Sequence, residues 1–258
     1  MCIAVFRWDS DAEIPLLLAA NRDEYFERPT RSMHWWSHAD VLAGRDLKAD
    51  GAWLGVTRQG RFALITNIRN PALRKAGAPS RGEIVRRYLE KPQSAGEFVA
   101  ELAAIAAEYQ GFNLICGSLR ANERALWFLN SSDAAPRLLE SGLYALSNAS
   151  LDTPWPKITR IKAGFRHALA ERDVNAQNER LFRLLGNATQ VADRDLPQTG
   201  VPLDWERKLS SISVRRERYG TRASTVMRLG NVRAEITELN HNEDSTPGEH
   251  NDFAFELQ

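Results

Sequence analysis

The sequence predicts an α+β fold with antiparallel sheets, on three observations. Strand-like and helix-like segments come in separate groups, which is typical of α+β proteins and not of a doubly wound parallel sheet. Asp50-Gly51 and Gln59-Gly60 stand between short apolar runs, a pattern typical of antiparallel hairpins. Other segments carry apolar residues at helical spacing. Two antiparallel sheets stacked between layers of helix satisfy all three observations.

The first third of the chain reads as strands. Residues 24–40, with Pro29, two histidines and Trp35-Trp36, are expected to be irregular. The predicted strands, recognised as apolar runs of strand length between turn signals, are Cys2–Trp8, 15–21, 41–43, 52–57 and 61–68.

Two groups of helices and two further groups of strands follow. Ser80 with Glu83, and Ser94, are expected to cap the first two helices, and Gly111 to stop the second. The predicted helices are Arg81–Glu90, 95–109, 156–171, 179–185 and a short one at 204–210. The predicted strands are Phe112–Ser118, Ala125–Asn130, 143–147, Tyr219–Leu229, 232–239 and 253–257, with a hairpin turn at Gly230-Asn231.

Composition excludes several classes of function. The 258 residues hold 34 Lys plus Arg and 33 Asp plus Glu, a net charge of +1, which gives no reason to expect a nucleic acid as partner. Two cysteines are too few for a disulfide framework or a Cys-based metal cluster. The N-terminus lacks the pattern of a signal peptide, and the apolar run 14–20 is too short to span a bilayer. We expect a cytoplasmic protein with one domain over 1–258.

One cysteine, Cys2, directly follows the initiator Met1. Methionine aminopeptidase removes Met before a small residue, which would leave Cys2 with a free α-amine beside its thiol. The ordinary pKa is about 7.7–8.0 for an α-amine and about 8.5 for a thiol, so one residue would supply both a nucleophile and a general base. The alternative is a buried strand cysteine without a catalytic role.

The other parts of a nucleophilic site occur at the ends of predicted strands. Asn21-Arg22-Asp23-Glu24 closes the strand that should pair with the Cys2 strand, so Arg22 or Asp23 could reach Cys2. Asn67 and Asn148 lie at the ends of two further predicted strands, and an Asn amide suits an oxyanion hole. Each feature also has a plain interpretation, because Asn is a common turn former and a charge run is usually a solvated face.

Taken together, these residues resemble the NRDE-motif family, also called the transport-and-Golgi-organisation family. The matching motifs run along almost the whole chain: Met1-Cys2, Asn21-Arg22-Asp23-Glu24, Arg28-Pro29-Thr30, Gly44-Arg45-Asp46, Trp53-Leu54-Gly55, Thr66-Asn67, Leu146-Ser147-Asn148, Leu151-Asp152-Thr153-Pro154-Trp155-Pro156-Lys157 and Tyr219-Gly220-Thr221-Arg222-Ala223-Ser224-Thr225.

That family is similar to the N-terminal-nucleophile (Ntn) hydrolases of the penicillin V acylase and bile-salt hydrolase group. The resemblance implies a four-layer αββα sandwich, with two antiparallel sheets between helix layers. It implies that Cys2 is the nucleophile, Asp23 the carboxylate that contacts the α-amine, Asn67 and Asn148 the oxyanion donors, and Arg222 the arginine near the thiol. The acylases carry an arginine on this strand three residues before the aspartate. In this sequence that position is Ala20, so Arg22 is shifted relative to the acylase arginine. The substrate is expected to contact Asn21, Arg22, Glu24, Trp35, Trp36 and Trp53.

Two functions are compatible with these residues. The first is hydrolysis of a linear amide or thioester in a small acyl substrate by Cys2, with no cofactor required. The second is non-catalytic binding and trafficking of haem, acyl-CoA or lipid in the same pocket, because the family is linked to haem and acyl-CoA handling. His34 and His38, beside Trp35 and Trp36, could ligate haem, or they could simply pack a loop.

Overall fold

The computed structural model describes residues 2–120, 123–244 and 246–258. Helices and strands are numbered in chain order. The strands are β1 (Cys2–Trp8), β2 (Leu16–Tyr25), β3 (Thr30–Trp35), β4 (Leu42–Asp46), β5 (Leu54–Val56), β6 (Arg61–Asn67), β7 (Phe112–Ser118), β8 (Ala125–Asn130), β9 (Arg137–Leu138), β10 (Gly142–Leu146), β11 (Arg215–Arg216), β12 (Tyr219–Leu229), β13 (Arg233–His241) and β14 (Pro247–Glu256). The helices are α1 (Arg81–Glu90), α2 (Ala95–Ile105), α3 (Pro156–Leu169), α4 (Val174–Leu185) and α5 (Leu203–Lys208).

The strands form two antiparallel sheets. The first has the order β10-β1-β2-β12-β13-β14, with β11 paired to β12, and the second runs from β3 to β9 in sequence order. Helices α3 and α4 pack on the outer face of the first sheet, while α1 and α2 pack on the outer face of the second. The molecule is therefore the four-layer αββα sandwich that the resemblance implied.

Alternate residues of β1 and β2 face different layers. Phe6 and Leu18 belong to the apolar core between the sheets. Val5 and Ala19 belong to the core beneath α3 and α4. Because side chains alternate along a strand, even-numbered positions of β1 and β2 face the other sheet and odd-numbered positions face the helices. This alternation decides where each residue of the Asn21–Glu24 motif points.

Several boundaries differ from the sequence predictions. Strand β2 continues through the motif to Tyr25, and the stretch expected to be irregular contains β3. Ser80 is the N-cap residue of α1 as predicted, but its side chain makes no capping hydrogen bond, so the predicted capping box with Glu83 is wrong. Ser94 caps α2 and forms a capping box with Glu97. The motif strand is longer than its apolar run because its polar residues find partners on β12 and in the helix layer.

Candidate active site

Cys2 begins β1 and lies opposite Arg22 of β2 in the antiparallel register. Directly opposite residues share a face, so the thiol and the guanidinium group both point toward the second sheet. Cys2 is 8% exposed, and burial raises the pKa of its thiol. The charge on Asp23 raises that pKa further, whereas the charge on Arg22 lowers it. The structure thus places a cation beside the thiol, in the position that favours the thiolate form.

The Arg22 guanidinium lies over the ring of Trp53, 4.2 Å from its centroid. Arg22 is 6% exposed, and its Nη1 has no hydrogen-bond partner among the described residues. Gly44 makes room for this arrangement, because a Cβ at that position would lie 2.1 Å from the Trp53 ring. The two motifs that contain Gly44 and Trp53 therefore both help to position Arg22.

Asp23 faces the helix layer, on the other side of the sheet from the Cys2 side chain. Its Oδ1 accepts a hydrogen bond of 2.7 Å from the Thr221 hydroxyl, and its backbone oxygen accepts one of 3.2 Å from the Tyr219 hydroxyl. Asp23 is 2% exposed, and burial raises the pKa of its carboxyl. The hydrogen bond from Thr221 and the charges of Lys157 and Arg69 lower the pKa of Asp23, because they stabilise the carboxylate. The carboxyl of Asp23 therefore lies on the face opposite the Cys2 side chain, whereas the Asp23 backbone makes a hydrogen bond with the Cys2 sulfur that lowers the pKa of the thiol.

Asn67 and Asn148 meet where the ends of β6 and β10 approach the start of β1. The Asn148 amide donates to the Asn67 backbone oxygen at 2.9 Å. The Ser147 hydroxyl lies 3.0 Å from both the Cys2 backbone oxygen and Asn148 Oδ1. The Asn67 side chain is half-buried and makes no hydrogen bond within the described residues. The structure brings both predicted oxyanion residues to the Cys2 end of the sandwich, and Asn67 is the one with an uncommitted amide.

A buried polar network supports this corner. Thr66 donates to the Ser147 backbone oxygen at 2.7 Å. Asn113 donates to the Ala149 backbone oxygen at 2.7 Å, and Asn130 donates to Asn113 at 2.8 Å. These hydrogen bonds tie β7 and β8 of one sheet to the loop that follows β10 of the other. Asn113 and Asn130 were not predicted as site residues, because a lone Asn within a strand carries no motif signal.

Arg222 does not lie beside the thiol as expected. Its Nη1 donates to the backbone oxygens of Tyr25, at 3.1 Å, and Arg28, at 2.5 Å, and to the Thr30 hydroxyl at 3.2 Å. The pairing of β12 with β2 shifts register between Thr221 and Ala223, so Arg222 is the additional residue of a bulge. A bulge re-aims the side chain that it carries. Arg222 consequently holds the turn between β2 and β3, and Arg22 is the arginine opposite Cys2.

Asn21 also differs from its predicted role as a substrate contact. Its amide donates to the backbone oxygens of Leu185, at 2.9 Å, and Ile212, at 3.0 Å, and its Oδ1 accepts from the Ser224 hydroxyl at 2.7 Å. All of these partners lie on the helix side of the sheet, so Asn21 joins the sheet to the helix layer. Glu24 is half-buried and interacts electrostatically with Arg22.

Two of the three tryptophans expected to contact a ligand, Trp35 and Trp36, pack against residues outside the Cys2 site. The Trp35 ring packs against Phe255, with 4.9 Å between centroids, and beneath Arg58 at 3.6 Å. Trp36 is 4% exposed and donates to the Ala43 backbone oxygen at 3.1 Å. Of the predicted ligand-contacting tryptophans, only Trp53 has a described contact with a residue of the Cys2 site, Arg22.

His34, which lies in β3, and His38 also have partners outside the Cys2 site. His34 Nδ1 lies 2.8 Å from the Ser32 backbone oxygen. His38 is exposed, stacks on Trp36 and lies 3.4 Å from Glu90. In the part of the chain that the structure describes, no cluster of three or more His, Cys, Asp or Glu residues could hold a metal ion. No helix of the described residues is long and apolar enough to cross a membrane.

A buried group of charges behind Asp23 was not predicted. Lys157 is 3% exposed and donates to the Leu209 backbone oxygen at 3.0 Å. Arg69 Nη1 lies 2.6 Å from Glu206 Oε2, and both side chains are buried. Lys157 is visible in the sequence as the last residue of the Leu151–Lys157 motif. A lysine next to a proline gives no indication, however, that its side chain is buried.

Comparisons with known proteins agree with the motifs. The family model described as Transport and Golgi organisation 2 matches residues 1–240. The Bos taurus Transport and Golgi organization protein 2 homolog is 34% identical over 244 residues, 88% of each chain. The Homo sapiens homolog is 31% identical over 244 residues, again 88% of each chain.

Solved structures of similar fold include two hydrolases. A Caenorhabditis elegans N-acylethanolamine-hydrolyzing acid amidase (NAAA) ortholog has a TM-score of 0.45 at 11% identity, over 88% of this chain and 92% of that one. The C2A mutant of the Clostridium perfringens conjugated bile acid hydrolase has a TM-score of 0.42 at 10% identity, over 98% and 96%. The sequence matches are the stronger finding, and they cover the Cys2, Asn21–Glu24 and Tyr219–Arg222 motifs together: the chain belongs to the Transport and Golgi organisation 2 family.

Proposed function

We propose that this protein is a Cys2-dependent hydrolase of a small acyl substrate, acting on a linear amide or a thioester. The observation that carries the proposal is the register pair Cys2 and Arg22, with Asp23 held by Thr221 on the opposite face of the same strand. A thiol beside a cation, and a carboxylate beside the main-chain nitrogen of the same residue, are the parts that an N-terminal nucleophile needs.

The proposed reaction has two steps. After removal of Met1, the Cys2 thiol gives its proton to its own α-amine while sulfur attacks the acyl carbonyl. The oxyanion is held by the amide of Asn67, with the second amide hydrogen of Asn148 beside it. When the carbon–nitrogen or carbon–sulfur bond breaks, the leaving group takes the proton from the amine. Water then attacks the Cys2 acyl-thioester, again through the amine, and releases a carboxylic acid.

The test begins with the N-terminus. Intact mass of protein made in cells should correspond to loss of Met1, and wild-type protein should hydrolyse N-acyl amide or acyl-thioester probes. Cys2→Ala should abolish turnover, whereas Cys116→Ala, which removes the other buried thiol, should leave it unchanged. Quantitative retention of Met1, or full activity of the Cys2→Ala variant, would contradict the proposal.

A second candidate function, non-catalytic binding of acyl-CoA or haem, is favoured by the arginines around Arg22. Arg28, Arg81 and Arg222 join Arg22 in electrostatic contact with Glu24 or Asp46. Four guanidinium groups against two carboxylates leave an excess of positive charge, which suits phosphates or haem propionates.

Titration of palmitoyl-CoA and of haem tests this second function. Wild-type protein should bind one of them saturably, and Arg22→Gln with Arg81→Gln should weaken that binding. For haem, a His34→Ala/His38→Ala variant separates ligation of the iron from binding of the propionates. Absence of saturable binding for both ligands would exclude the carrier function.

A further inference from the structure

Three hydrogen bonds join the end of β6 to the end of β10 and its following loop, where the two candidate oxyanion residues lie. The Asn148 amide donates to the Asn67 backbone oxygen at 2.9 Å, and the Arg69 backbone nitrogen donates to the Asn148 backbone oxygen at 2.7 Å. The third hydrogen bond runs from the Thr66 hydroxyl to the Ser147 backbone oxygen at 2.7 Å. The two segments therefore form a junction, and the Arg69 main chain is one end of it.

The far end of the Arg69 side chain is anchored by α5 and its surroundings. Arg69 Nη1 lies 2.6 Å from Glu206 Oε2, and the guanidinium carbon lies 4.9 Å from the centroid of the Trp155 ring. The Leu209 backbone oxygen is 3.5 Å from Nη2. Glu206 Oε1 accepts hydrogen bonds from the Thr199 backbone nitrogen and hydroxyl at 2.8 and 2.5 Å. Both oxygens of the carboxylate are thus engaged, and both ends of the Arg69 side chain are held.

Stability is a poor explanation for this ion pair. The side chains of Arg69 and Glu206 are 3% and 5% exposed. Burial lowers the pKa of Arg69, because burying its positive charge costs free energy, and Glu206 raises it. Glu206 is also the one residue of α5, all of which the structure describes, that is buried. Replacing a buried ion pair by apolar residues of similar volume is often neutral or stabilising, so two charges at this place point to a role other than stability.

We propose that Arg69 is a positioning residue: the Glu206 carboxylate fixes its side chain, and the Arg69 main chain then holds Asn67 and Asn148 at the separation that an oxyanion needs. The inference rests on the proposed function for the identity of the oxyanion donors. The Asn67 amide makes no hydrogen bond within the described residues, so its direction depends on the main chain around it. Loss of the ion pair should therefore impair the stabilisation of an oxyanion and leave the Cys2 thiol reactive.

Two reactions of the same sulfur separate the oxyanion from the thiol. Acylation by an acyl-thioester probe passes through an oxyanion: a bond forms between the Cys2 sulfur and the acyl carbon, the carbon–sulfur bond of the probe breaks, and the thiol proton passes through the α-amine to the departing thiolate. Iodoacetamide alkylates the same sulfur by displacing iodide from a saturated carbon, without an oxyanion. The ratio of the two rates at Cys2, measured by mass spectrometry in the first turnover of protein that has lost Met1, reports the oxyanion donors and cancels the reactivity of the thiol.

The test variant is Arg69→Met with Glu206→Leu, which removes both charges at similar volume and keeps the backbone nitrogen of residue 69. We expect it to lower the ratio of acylation to alkylation by roughly tenfold or more, because a small displacement of an aligned group is costly in rate. Glu206→Gln, which keeps the volume and removes only the carboxylate charge, should change the ratio in the same direction.

The matched control is Arg207→Gln with Asp193→Asn, which removes an exposed ion pair of 2.5 Å on the same helix. It should leave the ratio at the wild-type value. A wild-type ratio in the folded Arg69 and Glu206 variants, or an equal fall in the control, would overturn the proposal.

Hydrogen exchange at the Arg69 amide tests the positioning without any reaction. This amide donates to the Asn148 backbone oxygen, so its protection measures how firmly the junction is held. In Glu206→Gln we expect that protection to fall roughly tenfold, as a local opening would make it fall. The Ile65 amide, which donates to the Trp53 backbone oxygen at 2.9 Å, should keep its protection.

The two measurements also separate this proposal from the proposed function. If the thioester probe does not acylate wild-type Cys2, the proposed function fails, and exchange at the Arg69 amide still decides whether Glu206 holds the junction. Unchanged protection of that amide in folded Glu206→Gln would overturn the positioning role, whatever the protein hydrolyses.

Discussion

At the scale of single residues, the reactivity of Cys2 depends on groups that oppose the effect of burial. Burial raises the pKa of the thiol, and Asp23 raises it further. Arg22, directly opposite on β2, favours the thiolate. Burial also lowers the pKa of Arg22, because burying its positive charge costs free energy. The contact of the guanidinium group with the Trp53 ring offsets part of that cost.

The charge of Arg22 predicts a preference among alkylating reagents. Iodoacetate carries a negative charge and iodoacetamide does not, so their rate ratio at Cys2 reports the local potential and cancels the thiol pKa. We expect the ratio to exceed that of free cysteine and to fall by on the order of tenfold in Arg22→Gln, about 1.4 kcal/mol. Mass spectrometry of the Cys2 peptide measures both rates.

The matched control is Arg194→Gln, which removes an exposed guanidinium whose ion-pair partner is the adjacent Asp195. It should leave the ratio at the wild-type value. A ratio that is unaffected by Arg22→Gln would mean that the guanidinium does not act on the thiol.

At the scale of elements, β4 and the Trp53 segment are shaped by a single glycine. A Cβ at Gly44 would lie 2.1 and 2.4 Å from two atoms of the Trp53 ring, and a ring packed beneath Arg22 cannot move without disturbing it. We expect Gly44→Ala to lower the free energy of unfolding by about 1–3 kcal/mol, the usual cost of overpacking. Urea denaturation followed by tryptophan fluorescence measures the loss.

Gly186→Ala provides the comparison for this substitution. The nearest atom to a Cβ at Gly186 is a backbone oxygen at 3.4 Å, which is an ordinary contact. That variant should stay within about 0.5 kcal/mol of the wild type. Equal stability of the two alanine variants would show that the Trp53 ring has room to shift.

Five helices and strands have the boundaries that their sequence patterns predict. The boundaries of β1, α1, β7, β8 and β12 agree with the predictions, because each is an apolar or periodic segment with clear ends. Strand β3 was missed because Thr30–Trp35 is mostly polar and only Met33 in it is fully buried, so it carries no apolar run. The Met33 backbone nitrogen donates at 2.7 Å to the carboxylate of Glu238, a partner distant in sequence that leaves no pattern in the strand itself.

At the scale of the whole molecule, the buried charges make stability depend on pH. Lys157 has a pKa of about 7 in the folded protein, against about 10.4 for an unfolded chain. Between these values the unfolded state binds more protons, so the free energy of unfolding falls as the pH is lowered from about 10 to about 7. In Lys157→Gln this contribution is absent.

The stability of Lys157→Gln relative to wild type should therefore increase as the pH is lowered through that window. Urea denaturation of both proteins at four pH values between about 7 and about 10 measures the difference, and other titrating groups largely cancel. A difference that stays constant with pH would mean that Lys157 keeps an ordinary pKa in the folded protein.

The sequence by itself determined the α+β class, most of the strands and helices, the family, and the residues Cys2, Asp23, Asn67 and Asn148 that meet at one end of the sandwich. These follow from local periodicity and from motifs that can be read along the chain. The tertiary structure decided which face of β2 each motif residue occupies. It placed Arg22 opposite Cys2, turned Arg222 toward the turn between β2 and β3 through the bulge in β12, and buried Lys157 in the helix layer that Asp23 faces. Strand register, bulges and the burial of charge arise from contacts between distant segments, and a single sequence carries no direct signal for them.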